Sequence, residues 1–103
     1  MLDELKTALA GTGYSFEHYG WSKAPAGDYG VYAEDGGNDL EADGQHSEKA
    51  LTGTVDYFTR DDSDTPRETI EAALEGVCVW SLNSIQFESE SGYIHYEWVF
   101  EVV

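Results

Sequence analysis

The stretch that decides the fold runs from residue 93 to residue 103 and reads YIHYEWVFEVV. Apolar and polar side chains alternate along it, with the period of two that is typical of a strand with one packed face. The residues expected on the packed face are Ile94, Tyr96, Trp98, Phe100 and Val102, and those expected on the other face are His95, Glu97 and Glu101. This stretch is the clearest strand in the sequence.

Other segments read as strands that join it in a sheet. Residues 51–59 also alternate, with Leu51, Gly53, Val55 and Tyr57 on one face. Residues 29–33 predict a short strand after Pro25. Residues 77–80 and 85–88 are apolar and β-prone, and they precede a turn at residues 89–92.

The second of two predicted helices has the stronger local signal. We expect Thr65 to cap it, Pro66 to take the first helical position and Glu68 to complete a capping box. Its apolar stripe has the spacing i, i+3, i+4, i+7 and consists of Ile70, Ala73, Leu74 and Val77. Gly76 weakens the helix near its end.

The first helix is short, because Leu2, Leu5 and Leu9 recur at helical spacing and Gly11 marks its end. The predicted order is therefore α-β-β-α-β-β. It gives an α+β fold in which two helices pack on a small, antiparallel-rich (mixed) sheet. With 103 residues, the chain is expected to form a single domain over residues 1–103.

Two segments carry no regular pattern. Residues 13–27 combine glycine and Pro25 with four aromatic rings, which predicts an ordered loop or an irregular extended segment. Residues 34–48 hold six acids and three glycines. We expect a solvated excursion between strands there, too long for a tight hairpin and too acidic for the core.

The charge is strongly one-sided, with 21 acidic against five basic residues and a net charge of −16. Such a field repels phosphate backbones and anionic membranes, so direct nucleic-acid or membrane binding is not expected. No apolar run reaches the ~20 residues of a membrane helix, and the acidic start is unlike a signal peptide. Cys78 is the one cysteine. These features predict a cytoplasmic site of synthesis.

No motif predicts chemistry. Asp39, Glu41, Asp43 and Gly44 resemble the start of a calcium loop, but the twelfth position, which needs a bidentate Glu, is Ala50. The three histidines lie far apart and are expected to be neutral surface residues. Phosphate-binding, dinucleotide-binding and nucleophile motifs are absent from the sequence. We therefore predict no enzyme and no catalytic, cofactor or metal site.

A series of stretches carries a family resemblance. They are YGW at 19–21 leading to AP at 24–25, DYGVY at 28–32, DGGNDLEAD at 35–43, GTVDYFT at 53–59, the helix at 65–76 and YIHYEWVFEV at 93–102. In this order they resemble the small tail-completion or tail-terminator proteins of long-tailed, siphovirus-like phages and prophages. The first helix is shorter than the family pattern, and Gly30 and Gly53 interrupt its strands.

The resemblance implies a non-enzymatic virion protein. Its members form a ring, usually of six subunits, that closes the tail tube and joins it to the head. The implied partners are copies of the chain, the tail tube protein and a head-completion or connector protein. The implied location is the virion tail, after assembly in the bacterial cytoplasm. A negative channel wall would also keep the passing genome from sticking.

A ring subunit needs two different surfaces, because a head-to-tail contact closes only through unlike faces. We expect one of them in the acidic excursion, at Asp35, Asn38, Asp39, Leu40, Glu41 and Asp43. Two alternatives remain open from the sequence. One is an acidic DNA mimic that inhibits a DNA-binding enzyme, although the densest acids fall in glycine-rich segments. The other is a head–tail adaptor.

Overall fold

The protein is described by a computed structural model over residues 2–42 and 45–102, and for residues 37–42 and 45–49 it describes the backbone alone. Within these residues the chain forms two helices and five strands. In chain order they are α1 (Leu2–Ala10), β1 (Phe16–His18), β2 (Tyr29–Ala42), β3 (Gln45–Thr59), α2 (Thr65–Glu75), β4 (Val79–Glu88) and β5 (Tyr93–Val102).

The strands form one mixed sheet in the order β1-β2-β3-β5-β4. β1 runs parallel to β2, and each of the other neighbouring pairs is antiparallel. The predicted α+β class, with two helices and a small mixed sheet, is confirmed. The predicted element order was wrong in one respect, because β1 adds a strand between α1 and the predicted first strand.

The core lies on one face of the sheet, where the apolar side chains of the helices meet β3 and β5. Trp98, Val55, Leu5 and Ile70 are fully buried there. Trp98 also donates its indole N–H to Glu71 Oε2 on α2, at 2.9 Å. Both predicted alternating patterns are confirmed, since the expected packed residues of β5 are buried or half-buried and those of β3 likewise. We call this side the helix face and the opposite side the open face.

β1 lies in the segment that was predicted as a loop or an irregular extended stretch. Its three residues pair with Gly30, Val31 and Tyr32 of β2. The pairing depends on a close approach, since a Cβ atom at Gly30 would collide with the ring of Phe16. A strand of three residues held by a distant partner leaves no periodic pattern in the sequence.

The capping prediction for α2 was wrong. Asp64 is the N-cap residue, without a side-chain hydrogen bond to the helix, and Thr65 is already helical. The helix is instead started by main-chain bonding, because the Glu68 N–H donates to the Asp64 carbonyl at 2.9 Å. Pro66 is the second helical residue rather than the first, which had been expected, and Gly76 is the C-cap residue of the helix.

The expected excursion at residues 34–48 is a strand pair rather than a loop. β2 continues to Ala42 and β3 begins at Gln45, with register shifts at Glu34/Gly36 and Leu40/Glu41. The prediction that the segment was too long for a tight hairpin was therefore wrong. Acidic composition did not prevent pairing, because the ladder is made by main-chain groups. We call residues 37–42 and 45–50 the arm.

The segment at 85–88 and the second half of the segment at 77–80 belong to one edge strand. β4 begins at Val79 and has a register shift between Leu82 and Ser84 where it pairs with β5. A bulge of this kind interrupts the period of two, which explains why the sequence shows two short apolar pieces. Val77 and Cys78 lie in the connection between α2 and β4.

Candidate assembly surfaces

The two edges of the sheet are the first surfaces that bear on function. At one edge β1 covers β2 only from Gly30 to Tyr32. From Ala33 onward, no described strand lies on the outer side of β2. At the opposite edge, β4 pairs with β5 on one side and has no described strand on the other. Both edges therefore present unpaired main-chain groups, which are templates for another strand.

The β4 edge is apolar and uncharged over most of its length. Residues 79–87 read VWSLNSIQF and contain no charged side chain, in a chain of which 25% is charged. Val79, Ile85 and Phe87 are 74%, 50% and 67% exposed. Natural sheet edges are usually blunted by charges or proline, and an exposed edge without them favours strand addition. Interpretation of the sequence missed this surface, although the uncharged run was visible in it.

The predicted interface residues fall on the β2 edge and the arm. Asp35 lies at the β2 bulge, its side chain is exposed, and its Oδ1 accepts a hydrogen bond from Thr52 Oγ1 at 3.2 Å. The backbones of Asn38, Asp39, Leu40 and Glu41 lie on β2 within the arm. Their side chains, and Asp43 altogether, lie outside the described residues. The structure thus places five of the six on one strand.

Asp35 also borders a shallow cleft of about 360 Å³. The cleft includes Val79 and Val99, which are 74% and 38% exposed, and Glu101. It lies where β4 begins and β2 leaves the body of the sheet. This end of the molecule therefore combines exposed apolar side chains with carboxylates.

At the β2 edge, His18 holds the side chain of Glu34 in place. His18 Nε2 lies 2.6 Å from Glu34 Oε1, and the imidazole stacks between the rings of Tyr19 and Tyr32, at 4.0 and 4.8 Å. The hydrogen bond with His18 holds the pKa of Glu34 below its usual value. A hydrogen bond to Glu34 raises the pKa of Tyr19. Glu34 is therefore held in place as a carboxylate where β1 ends.

A second histidine lies on the open face. His95 Nε2 lies 2.7 Å from Asp56 Oδ1, and its ring stacks on Phe58 at 4.2 Å. This contact ties β5 to β3 across the sheet. His18 and His95 were expected as neutral surface residues, and the structure places both of them half-buried and beside a carboxylate. His46 lies among the residues whose side chains are not described.

Cys78 is half-buried, and burial, followed by the charge of Glu75, raises the pKa of its thiol to about 11. The thiol is therefore protonated at neutral pH and a poor nucleophile. In residues 2–42 and 45–102, no three His, Cys, Asp or Glu side chains form a group that would hold a metal ion. None of the described helices is both long and apolar enough to cross a membrane.

No protein-family model matches the chain, and no curated protein matches it either.

Proposed function

We propose that the chain is a structural subunit that associates head to tail with copies of itself into a ring, and that this ring closes the tail tube of a long-tailed phage and joins it to the head. The ring of about six subunits, the tail tube partner and the connector partner come from the family resemblance. The proposal places the protein in the virion tail and gives it no catalytic role.

The observation that carries the proposal is the arm. β3 has β5 beside it only as far as Leu51, which pairs with Val102. Beyond that point the arm is a two-stranded ribbon with no described third strand. A two-stranded ribbon is marginally stable on its own in water. Because the arm projects beyond the other strands, the molecule is elongated and measures 50 × 23 × 23 Å along its principal axes. A projection of this kind suits contact with another subunit.

The charge supports the same role. Sixteen net negative charges on each subunit would give a ring a strongly negative field. DNA phosphates passing through the ring would be repelled by its wall, so the genome would not bind there. The same charges oppose association of free subunits at low salt. The Debye length falls to about 10 Å at 0.1 M salt, so screening should promote assembly.

The test is the mass of the purified protein by light scattering over a series of concentrations and salt concentrations. We expect one discrete oligomer that is favoured by salt, and binding of that oligomer to purified tail tube protein. A variant in which Asn-Gly replaces residues 39–49 should remain folded, because it keeps the buried Ala50, which pairs with Asn38, and a two-residue turn suits this hairpin. It should lose association.

A matched control keeps the length of the arm but removes charge, as Asp39→Asn with Glu41→Gln. If the backbone of the arm makes the contact, this control should still associate. A wild-type protein that stays monomeric at every salt concentration and binds a DNA-processing enzyme would support the DNA mimic instead. An oligomer that binds only a connector protein would support the adaptor.

A further inference from the structure

The open edges at the two sides of the sheet lie at the same height along the strands. Val79 of β4 is level with Gly36 of β2, through the paired residues of β5 and β3. Ser81 is level with Ala33 in the same way. The first half of β4 and the first uncovered residues of β2 therefore face outward at one level. Rotating a second copy about an axis parallel to the strands, with no translation along that axis, therefore brings its β2 edge beside the β4 edge of the first copy.

The strand directions fit this contact. β2 and β5 run one way, and β3 and β4 run the other. In a ring, rotation keeps the direction of every strand relative to the axis. β4 of one copy would therefore lie antiparallel to β2 of the next copy. The helices of both copies would remain on the same side of the joined sheet.

The shapes of the two edges also agree. β1 covers β2 up to Tyr32, and Tyr32 is level with Leu82 of β4. On the β1–β2 side, the outer edge of the sheet therefore changes from β2 to β1 at the level of Leu82. The bulge of β4 lies at the same place, between Leu82 and Ser84. A bulge bends its strand, so it allows β4 to turn away where β1 begins.

Charge favours this pairing over contacts with other strands of the chain. The β2 segment carries Glu34 and Asp35, whereas Val79–Leu82 carry no charge. Like charges placed directly opposite each other destabilise a strand pair. Residues 79–82 therefore form the edge at which the acidic β2 segment meets no like charge directly opposite it.

We propose that residues 79–82 of β4 pair, antiparallel, with residues 33–36 of β2 in a second copy of this chain, and that this contact builds the ring together with the contact made by the arm. The inference rests on the proposed function, since it names the surfaces through which the subunits would meet. β4 would be the receiving surface, and the β2 edge at the base of the arm would be the donated one.

Cysteine crosslinking tests the geometry in a Cys78→Ser background. We expect a mixture of the Ala33→Cys and Ser81→Cys variants to form covalent dimers under a mild oxidant, and neither variant to do so alone. Neighbouring strands lie about 4.8 Å apart, within the ~7 Å Cα separation that a disulfide tolerates. A Thr54→Cys and Ser81→Cys mixture is the matched control. Thr54 is level with Ala33 on the open face but one strand further in, so it should not crosslink.

The sign of an added charge tests the electrostatic argument. Ser81→Glu places a carboxylate opposite the acidic β2 edge and should weaken self-association about three- to fivefold, roughly the effect of one cross-strand pair. Ser81→Lys should retain or strengthen association. Ser89→Glu adds the same charge in the turn after β4, where no contact is proposed, and should have a much smaller effect.

The outcomes separate this inference from the proposed function. If wild type forms rings but the mixture does not crosslink and Ser81→Glu associates normally, the β4 contact is wrong and the ring stands. If Ser81→Cys crosslinks alone, β4 pairs with itself in a two-fold dimer, and the inference is overturned. If wild type remains monomeric at every concentration and salt concentration, both proposals fail.

Discussion

β5 and β4 are neighbouring strands of ten residues each, and both are rich in large apolar side chains. The two strands differ in how much of this apolar surface is buried. On β5, Trp98 and Phe100 are buried under the helices. On β4, Val79 and Phe87 remain largely exposed. Apolar burial stabilises a fold, and apolar exposure does not. The difference indicates that β5 specifies the fold of one chain, whereas β4 has apolar surface at Val79 and Phe87 that the described residues do not cover.

The largest effect should come from the centre of β5. Trp98→Ala is expected to destabilise the protein by about 3–5 kcal/mol, because it empties a fully buried site and removes the hydrogen bond to Glu71. Trp80→Ala is the matched control on β4. Trp80 is half-buried, and its indole donates to the exposed Glu75 at 2.9 Å, so the loss should be much smaller. Urea unfolding of both variants measures the difference. Equal losses would mean that β4 contributes to the core as β5 does.

The contrast between these strands shows what the sequence could predict. The alternation of β5 and β3 is local, so the buried faces were predicted correctly. The position of β4 at an edge depends on which strands pair across the chain, and no local pattern contains that information. β1 was missed for the same reason, and a bulge divided β4 into two apparent pieces. The acidic arm was found by composition, but its hairpin structure was not.

The second prediction concerns Gly53 on β3, whose lack of a side chain leaves room for the ring of Phe100 on β5. Phe100 packs over Gly53 on β3, where an added Cβ atom would lie 2.7 Å from the ring and would collide with the Ala33 carbonyl oxygen of β2. Gly53→Ala should therefore destabilise the protein by about 1–3 kcal/mol through overpacking. Gly36→Ala is the control, since its Cβ atom would contact Thr52 Oγ1 at an ordinary 3.4 Å. A Gly53→Ala variant with an unchanged melting temperature would mean that β2 and β3 separate without cost.

The third prediction concerns the opposite edge of the sheet, where His18 holds Glu34. The folded-state pKa of Glu34 is lowered from 4.5. Its carboxylate therefore contributes stability that is present above about pH 4.5 and is lost as the pH falls through the folded-state pKa. Glu34→Gln should show a shallower loss of stability on acidification than wild type, in thermal melts at a series of pH values. Glu17→Gln, on the neighbouring strand with an exposed side chain, is the matched control and should follow wild type.

The smallest effect is expected at the β4 edge itself. Phe87 is 67% exposed, so Phe87→Ala should change the free energy of unfolding by no more than about 0.5 kcal/mol. The same truncation at Phe100, which is 3% exposed, should cost about 3–5 kcal/mol. Because the two changes remove the same atoms, the difference between them isolates burial within one chain. A loss above about 1 kcal/mol for Phe87→Ala, measured at a protein concentration where wild type is monomeric, would show that this ring packs inside the folded subunit. The contrast between β4 and β5 would then be one of degree, and the apolar edge would no longer need a partner to account for it.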